Sequence, residues 1–434
     1  MSYVHYVILG LAGTAVGVVP ERALAQQVPG AAPPSLVLTR RQAVDTALAH
    51  NPQLRVAREQ VAQARARAVQ NTAFPDPTLS GDLTGQTSAT RFRSNTGSDV
   101  AIGLALPFPT KFLLRRQVSS ADVDAAQFGY DQLRQQTASQ TAQGYDALIV
   151  LLRHRADLLE GDSLARSFLQ KTQVRFEAGS VPRLDVLKAR VDLAQAENAL
   201  LANQRDVANA RAALNRLLGR RLDAGIEAAD TLAVPADLPP LDSLVALALA
   251  RRPELLGLTR QRAGAGAATA LAQQYWLPDL GLSVEKNLSQ GTPGTYTTGI
   301  GFTVPLFFWN HQRGEVAESK HRERELAAAY ADLEAAVEED VRTTYATAAT
   351  ALQQAVYLRD ELLPEARRAY EIALTSYGLG GSSTLDVLDA RRTLLDAESQ
   401  YADALGVAND ARIDLERAIG ASLDMDAAGA RHEN

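Results

Sequence analysis

The chain has 434 residues, no cysteine and a net charge of −6, with an isoelectric point near 5.7. The lack of cysteine excludes disulfides, a thiol nucleophile, a lipidated N-terminal cysteine and cysteine-ligated metals, and the acidic balance gives no basic footprint for nucleic acid. The six histidines are too scattered for a metal site. No nucleophile–base grouping or phosphate loop is present, so we expect no metal, no cofactor and no enzymatic activity.

Residues 1–25 have the features of a cleaved export signal. An apolar run at 7–19 precedes Ala23, Leu24 and Ala25, a small-x-small pattern typical of signal cleavage. No Lys or Arg precedes the run, so a short membrane anchor is the alternative, although the run is too short to span a bilayer comfortably. No other stretch predicts a transmembrane helix, so an exported chain of this kind would cross a membrane only as β-strands.

The remaining sequence contains an internal repeat. The heptad LDVLKAR at 184–190 returns as LDVLDAR at 385–391, and ALAHNPQL at 47–54 returns as ALARRPEL at 248–255, both 201 residues later. Such self-similarity indicates a duplicated structural unit. The predicted segments are an N-terminal linker at 26–38, a first repeat at 39–219, a linker at 220–239, a second repeat at 240–420 and a flexible tail at 421–434.

Each repeat predicts the same order of elements. Two helices separated by an X-Pro step lead to a β-hairpin, then to a very long helix, a turn and a last helix. A helix of about 65 residues is roughly 100 Å long, which indicates an elongated cylinder, and Pro364 should kink the second long helix. The predicted bounds are 78–107 and 279–306 for the hairpins, 113–178 and 313–378 for the long helices, and 182–219 and 384–420 for the last helices.

The hairpins carry the signal of a membrane β-structure. Apolar residues such as Leu79 and Leu83 alternate with polar or small ones, as in barrels whose interior holds water, and the aromatics at the helix–strand junctions suit a bilayer interface. The alternative is two half-buried hairpins that cap a helical bundle, with those aromatics as local core. The junction aromatics are Phe74, Phe108, Tyr275, Trp276, Phe307, Phe308 and Trp309.

Four strands cannot close a barrel, and open edges in lipid leave backbone groups unpaired. Two copies would supply eight strands, whose lumen side chains would fill, whereas three copies supply twelve and leave room for a channel. If the hairpins form a barrel, strand counting therefore predicts a trimer.

These features together resemble the TolC family of outer-membrane efflux channels. The resemblance covers about 38–420 and rests on ALAHNPQL, on the strand ends LPF and VPL, on the turn segments RFEAGSVPRLDVLKAR and SYGLGGSSTLDVLDAR, and on the duplication. The stretches at 74–80 and 106–116 resemble the branch that serves heavy-metal resistance pumps, of the cobalt-zinc-cadmium or copper-silver kind.

The resemblance implies a mainly α-helical protomer with a membrane β part. Three internally duplicated chains would form a twelve-stranded barrel in outer-membrane lipid, four strands per chain, continuous with a long periplasmic α-helical barrel. Such a homotrimer is a passive exit duct for small toxic compounds, metal ions or drugs. It docks with a periplasmic adaptor (membrane fusion) protein and, through it, with an inner-membrane efflux pump, here of the RND type.

The resemblance also gives roles to the turns between the long helices. Acidic residues that narrow the pore match Asp386 and Asp389, a tyrosine before the second turn matches Tyr377, and an acidic partner on the first turn matches Asp185. An arginine that latches the gate in the family is replaced here by Ser382. The expected adaptor-docking residues are Gly179, Ser180, Val181, Gly380, Gly381 and Ser382.

Plainer explanations remain open for these residues. Ser383 followed by Asp386 has the pattern of a helix cap, and Asp185 is a first-turn acid that favours a helix N-terminus whatever its function. Asp389 lies a turn deeper, where the helix dipole contributes less, which favours the gate there. For the whole chain, the alternative function is a structural or adhesive coiled-coil protein of the cell envelope without channel activity.

Overall fold

The structure is a computed structural model of the chain and describes residues 36–84, 97–288, 294–304 and 308–423. The predicted signal, most of the N-terminal linker and nearly all of the tail lie outside these residues. Within the described ranges, no helix is long and apolar enough to cross a membrane.

The first half begins with two short helices whose boundary follows from local chemistry. Thr39 caps the first helix and forms a reciprocal capping box with Gln42. Asn51 ends that helix and caps the next one, where Pro52 occupies the first position and needs no hydrogen-bond acceptor. The elements are β1 (Leu36–Leu38), α1 (Arg40–His50), α2 (Pro52–Asn71), β2 (Thr78–Thr84), β3 (Gly97–Leu106), α3 (Pro109–Glu177) and α4 (Arg183–Leu217).

The second half repeats this order, with one irregularity. A π-helical segment, Leu358–Leu362, interrupts the long helix predicted over 313–378, close to Pro364, where the sequence predicts a kink. Pro364 lies two residues beyond the segment and cannot donate a backbone hydrogen bond, which explains why the regular pattern breaks there. The elements are β4 (Ile226–Ala228), α5 (Leu241–Arg251), α6 (Pro253–Gln273), β5 (Asp279–Asn287), β6 (Tyr296–Thr303), α7 (Phe308–Tyr357), the π segment, α8 (Leu363–Gly378) and α9 (Thr384–Ile419).

The π segment also explains a change of register between the two halves. Before it, the buried Thr137 of α3 corresponds to the buried Val337 of α7, 200 residues later. After it, Gly179 and Gly380, both with positive φ, correspond at an offset of 201. A π turn holds one residue more than an α turn, so it accommodates this single extra residue.

The two hairpins join into one antiparallel sheet of order β2-β3-β5-β6. The register places Leu79, Ile102 and Val284 in one cross-strand row, so the apolar positions of all four strands share one face. This confirms the alternation predicted for each strand. The apolar face carries Leu79, Leu83, Val100, Ile102, Leu104, Leu106, Leu280, Leu282, Val284, Ile300 and Phe302, and the opposite face carries Ser80, Asp82, Asp99, Ala101, Gly103, Ala105, Gly281, Ser283, Glu285, Gly299 and Gly301.

A second, two-stranded sheet lies where the sequence predicts only linkers. Strand β1 pairs in parallel with β4, and the buried Tyr145 of α3 donates its hydroxyl hydrogen to Leu38 O over 2.6 Å. The linker is thereby fixed against α3. Three-residue strands are too short to show a periodic pattern, so the sequence alone could not reveal this sheet.

The described helices enclose three separate apolar clusters, as expected for an elongated molecule. One lies between α5, α7 and α9, a second between α1, α3 and α4, and the third behind the two helical turns. Many of the core side chains are alanines, which allow the helices to approach closely.

Candidate functional site at the two helical turns

Both long hairpins end in the same kind of tight turn. Gly179 has φ +74° and Gly380 has φ +83°, a region that favours glycine because it has no Cβ. In the first turn Ser180 N donates to Arg175 O over 2.8 Å, and in the second Gly381 N donates to Ser376 O over 2.8 Å. These bonds satisfy carbonyls at the helix C-termini, so turn chemistry accounts for the glycines.

The turns are exposed and carry an apolar residue that the sequence argument missed. Gly179, Ser180, Gly380 and Gly381 are exposed, and Val181 and Ser382 are half-buried. Leu379, directly before Gly380, is 86% exposed. An isolated leucine in the loop gave no periodic signal from which its exposure could be predicted.

Tyr377 forms the joint between the two hairpins. Its side chain is buried, and its ring centroid lies 5.4 Å from that of Phe168 of α3. The Arg175 guanidinium carbon lies 4.3 Å from the Tyr377 ring centroid, and Arg175 Nη1 donates to Tyr377 O over 2.9 Å. A cation over an aromatic face is attracted electrostatically, so Arg175 fastens the end of α8 to the end of α3.

Asp185 links the two turns and also lies in the first turn of its own helix. Thr384 Oγ1 donates to Asp185 Oδ2 over 2.9 Å, and Asp185 is the acidic residue in the first turn of α4. The structure is therefore compatible with both explanations given for Asp185.

A buried ion pair is the third link, and the sequence argument also missed it. Arg391 of α9 pairs with Asp192 of α4, and their side chains are 4% and 24% exposed. Arg190, the counterpart of Arg391 in the first heptad, is exposed. The two heptads read alike at this position, so only the packing of α9 on α4 distinguishes the buried arginine from the exposed one.

Asp386 forms a capping box with Ser383, the N-cap residue of α9. Its Oδ2 accepts hydrogen bonds from Ser383 N and Ser383 Oγ, both at 2.8 Å, and these bonds hold the pKa of the Asp386 carboxyl below its usual range. The side chain is exposed, so the charged carboxylate faces solvent.

The one difference between the heptads lies in a groove between α4 and α9. Lys188 and Asp389 both line this groove of about 820 Å³, whose lining also includes Gly161 of α3. A Cβ added at Gly161 would lie 3.2 Å from Leu395 Cδ2, so glycine permits the close approach of α3 and α9. Asp389 is exposed.

The junction aromatics cluster at the end of the molecule that holds the sheet. Phe74 stacks on Phe112 with ring centroids 5.4 Å apart, and Phe74, Trp276 and Trp309 are 65%, 50% and 46% exposed. Phe108 and Tyr275 are half-buried. Phe307 lies outside the described residues, and Phe308 is described only as the first residue of α7.

The two junctions are tied together by one lysine. Lys111 Nζ donates to Leu277 O over 2.7 Å and to Asp279 Oδ1 over 3.0 Å. Phe108 N donates to the same carboxylate oxygen over 3.1 Å. The start of α3 is thus fixed to the start of β5. Among the described residues, no group of three acidic, histidine or cysteine side chains is placed to hold a metal.

Two duplicated helical hairpins, joined to a four-stranded sheet with one apolar face, define the protomer of an outer-membrane efflux channel. The sequence model of the outer membrane efflux protein family matches residues 43–220 and 244–421. The chain belongs to this family. The two matches are offset by 201 residues, the offset of the sequence repeat.

Known members of the family match over most of their length. The chain is 24% identical to the cobalt-zinc-cadmium resistance protein CzcC of Cupriavidus metallidurans over 88% of this chain and 90% of the relative. It is also 24% identical to outer membrane protein OprJ of Pseudomonas aeruginosa, over 88% and 84%. The crystal structure of the Campylobacter jejuni CmeC outer membrane channel superimposes with a TM-score of 0.75 at 20% identity, over 91% of this chain and 88% of that one.

The family assigns the chain to the outer membrane as a non-enzymatic efflux channel. The alternative function, an adhesive coiled-coil protein of the envelope, is not favoured by these matches.

Proposed function

We propose that three copies of the chain form a passive exit duct, with a twelve-stranded barrel in the outer membrane and a helical barrel in the periplasm. The observation that carries this proposal is the sheet, whose apolar face includes exposed residues such as Ile300 and Phe302, 70% and 67% exposed. Within the described residues, β2 and β6 each lack a second neighbour. Open edges in lipid cost several kcal/mol per unpaired group, so neighbouring copies would pair them.

The entrance of the duct is proposed at the two turns, with Asp386, Asp389, Tyr377 and Asp185 forming its gate. Rings of carboxylates attract cations and set selectivity in pores, and the exposed Asp386 and Asp389 are suited to that role. The buried Tyr377 and the bridging Asp185 would contribute to the gate by holding the two hairpins of one copy together. Arg175 and Arg391 supply cationic contacts for this purpose, which offsets the absence of an arginine at Ser382.

The exposed turns are the proposed docking surface for the periplasmic adaptor, which connects the duct to an inner-membrane pump of the RND type. Gly179, Ser180 and Val181 of the first turn and Gly380, Gly381 and Ser382 of the second would contact the adaptor. Leu379, 86% exposed, adds apolar surface to this contact. The cargo is proposed to be small toxic compounds, and the likeness to CzcC makes metal ions the first class to test. The junction aromatics Phe74, Phe108, Tyr275, Trp276, Phe307, Phe308 and Trp309 are proposed to lie at the bilayer interface.

The gate can be tested by replacing Asp389 with Asn in protein reconstituted into planar bilayers. Multivalent cations added on the side of the turns should block the Asp389→Asn channel less than the parent channel, because one ring of carboxylates is gone. Asp45→Asn, which removes an exposed carboxylate of α1 far from the turns, is the matched control. Equal block of all three channels would remove Asp389 from the constriction and leave the duct itself standing.

A further inference from the structure

One charged side chain lies on the apolar face of the four-stranded sheet among the strand residues that the structure describes. Lys286 is the last paired residue of β5 on this face, with Val100 of β3 on one side and Tyr296 of β6 on the other. This row lies at the end of the sheet away from the long helices, which follow the strands that end at Leu106 and Thr303. A lysine that faces lipid is costly near the bilayer centre but costs little near its surface, which indicates that this row lies near the surface.

The length of the strands places the same row at the outer boundary of the membrane. Val304 follows β6 at the helical end of the sheet, eight residues from Tyr296. A strand of that length tilted by about 40° rises roughly 20 Å along the membrane normal, and the apolar band of such barrels is about 25 Å tall. With the junction aromatics at the inner boundary, Lys286 and Tyr296 lie where the outer lipids carry their headgroups.

Exposed aliphatic and aromatic side chains surround Lys286 on this face. They are Val100, Val284, Leu288 and Tyr296, which are 39%, 48%, 49% and 67% exposed. Leu288 belongs to the group because Leu288 N donates to Ser98 O over 2.8 Å, which extends the pairing of β3 with β5 by one residue pair. A cation within exposed apolar surface is suited to a ligand that carries both an anionic group and hydrocarbon chains.

The side chain of Lys286 is directed toward the outer end of the sheet. A Cβ added at Gly294, in the segment before β6, would lie 3.5 Å from Lys286 Cε, so this segment passes beside the lysine stem. Lys286 Nζ lies 5.4 Å from the ring centroid of Tyr296, within the range of a cation–π contact. Lys286 forms no ion pair with any residue that the structure describes, so its ammonium group can bind an anion from outside the chain.

The carboxylates at the same level of the sheet lie on the opposite face. Asp82 and Asp99 are directly paired across β2 and β3, and Glu285 precedes Lys286 in β5. Successive residues of a strand point to opposite faces, so the sheet separates these acids from the lysine. The lumen of the proposed barrel is therefore acidic at this end, whereas the outer surface offers a positive charge to the lipid.

We propose that Lys286 and Tyr296 bind the phosphate-bearing headgroup of a lipid in the outer leaflet, whose acyl chains lie on Val100, Val284 and the apolar rows below. The proposal rests on the proposed barrel and assigns a specific lipid contact to it. The ammonium group would bind the phosphate as a point charge, and the Tyr296 ring would lie at the level where headgroups meet hydrocarbon. Three copies would present three such sites around the barrel.

Native mass spectrometry of the purified full-length protein tests the site, with diphosphorylated lipid A as the probe. Lys286→Gln should bind this lipid about fivefold more weakly than the parent, because one lysine near an anionic lipid surface contributes roughly that factor. Lys286→Arg keeps the charge and should bind like the parent. Lys320→Gln removes an exposed lysine of α7 outside the sheet and is the matched control, which should also bind like the parent. Dephosphorylated lipid A should bind the parent and Lys286→Gln with equal affinity.

The possible outcomes distinguish the lipid site from the barrel. Equal affinity of the parent and Lys286→Gln for diphosphorylated lipid A would overturn the site and leave the barrel, and so would equal affinity of the parent for lipid A with and without its phosphates. Binding of inorganic phosphate alone, with the same dependence on Lys286, would identify a site for small anions and overturn the assignment to a lipid. Folded protein that binds no lipid and does not float with lipid vesicles would overturn the proposed barrel as well.

Discussion

Replacing Arg391 with Gln tests whether the hairpins of one copy are held together by the buried ion pair behind the turns. Arg391 is almost fully buried, and its partner Asp192 lies on α4 of the first half. The variant leaves Asp192 without its cation while keeping a polar side chain of similar length. Arg190→Gln is the matched control, because Arg190 occupies the same position of the first heptad and is exposed.

The expected size of the effect follows from the burial of the two side chains. Removing one partner of a fully buried pair costs about 3–5 kcal/mol, but the Asp192 side chain keeps 24% exposure and can rehydrate. We therefore expect Arg391→Gln to lower the free energy of unfolding by about 2 kcal/mol. Surface substitutions such as Arg190→Gln usually change it by less than about 0.5 kcal/mol.

If the pair forms only when the turns are closed, Arg391→Gln should destabilise the closed state of the channel by the same free energy. A change of about 2 kcal/mol would raise the ratio of open to closed channels roughly 30-fold, which single-channel recording measures directly. In a double-mutant cycle with Asp192→Asn, the second substitution should cost little once Arg391 is gone. The reasoning is refuted if Arg391→Gln and Arg190→Gln behave alike in both assays.

Two further predictions concern the helices above the turns. Burial and the neighbouring carboxylates Asp146 and Asp414 raise the pKa of Asp410 from 3.8 to about 7. Between these two pH values the folded chain keeps a proton on Asp410 that the unfolded chain releases. The free energy of unfolding should therefore fall as the pH rises from 3.8 to about 7. Asp410→Asn should flatten this part of the profile of unfolding free energy against pH, and an unchanged slope would show that the proton is elsewhere. At Gly264 an added Cβ would lie 2.5 Å from Ala121 Cβ, whereas at Gly266 it would meet nothing within 4 Å. Gly264→Ala should therefore destabilise the protein by about 1–3 kcal/mol, and Gly266→Ala, the control, should be neutral or stabilise it by up to about 1 kcal/mol in thermal unfolding; the reverse order would contradict the packing of α3 on α6.

Local patterns in the sequence were sufficient for the parts of the fold that they specify. Strand alternation predicted which side chains share a face, and the steps at Pro52 and Pro253 predicted where the short helices end. The pairing of β1 with β4 joins residues about 190 apart through only three residue pairs, so no periodic pattern in the sequence could predict it. The π segment required comparison of burial between the halves, which only the structure provides.

The sequence predicted where the two turns lie but not the contacts between them. The repeated heptads located the turns, and the capping pattern of Ser383 and Asp386 was readable from the sequence. The same pattern could not show that Asp185 bonds to Thr384, because that contact joins residues 199 positions apart. Burial of Arg391 rather than Arg190 likewise depends on the packing of α9 against α4.

The most direct test of the proposed duct is the conductance of the purified, helical full-length protein inserted into planar bilayers. The account predicts discrete, long-lived conductance steps with a preference for cations. Multivalent cations should block the Asp389→Asn channel less than the parent channel. The proposed duct would be contradicted if folded protein inserts and gives no conductance steps, even for the Arg391→Gln variant, in which the ion pair behind the turns is absent.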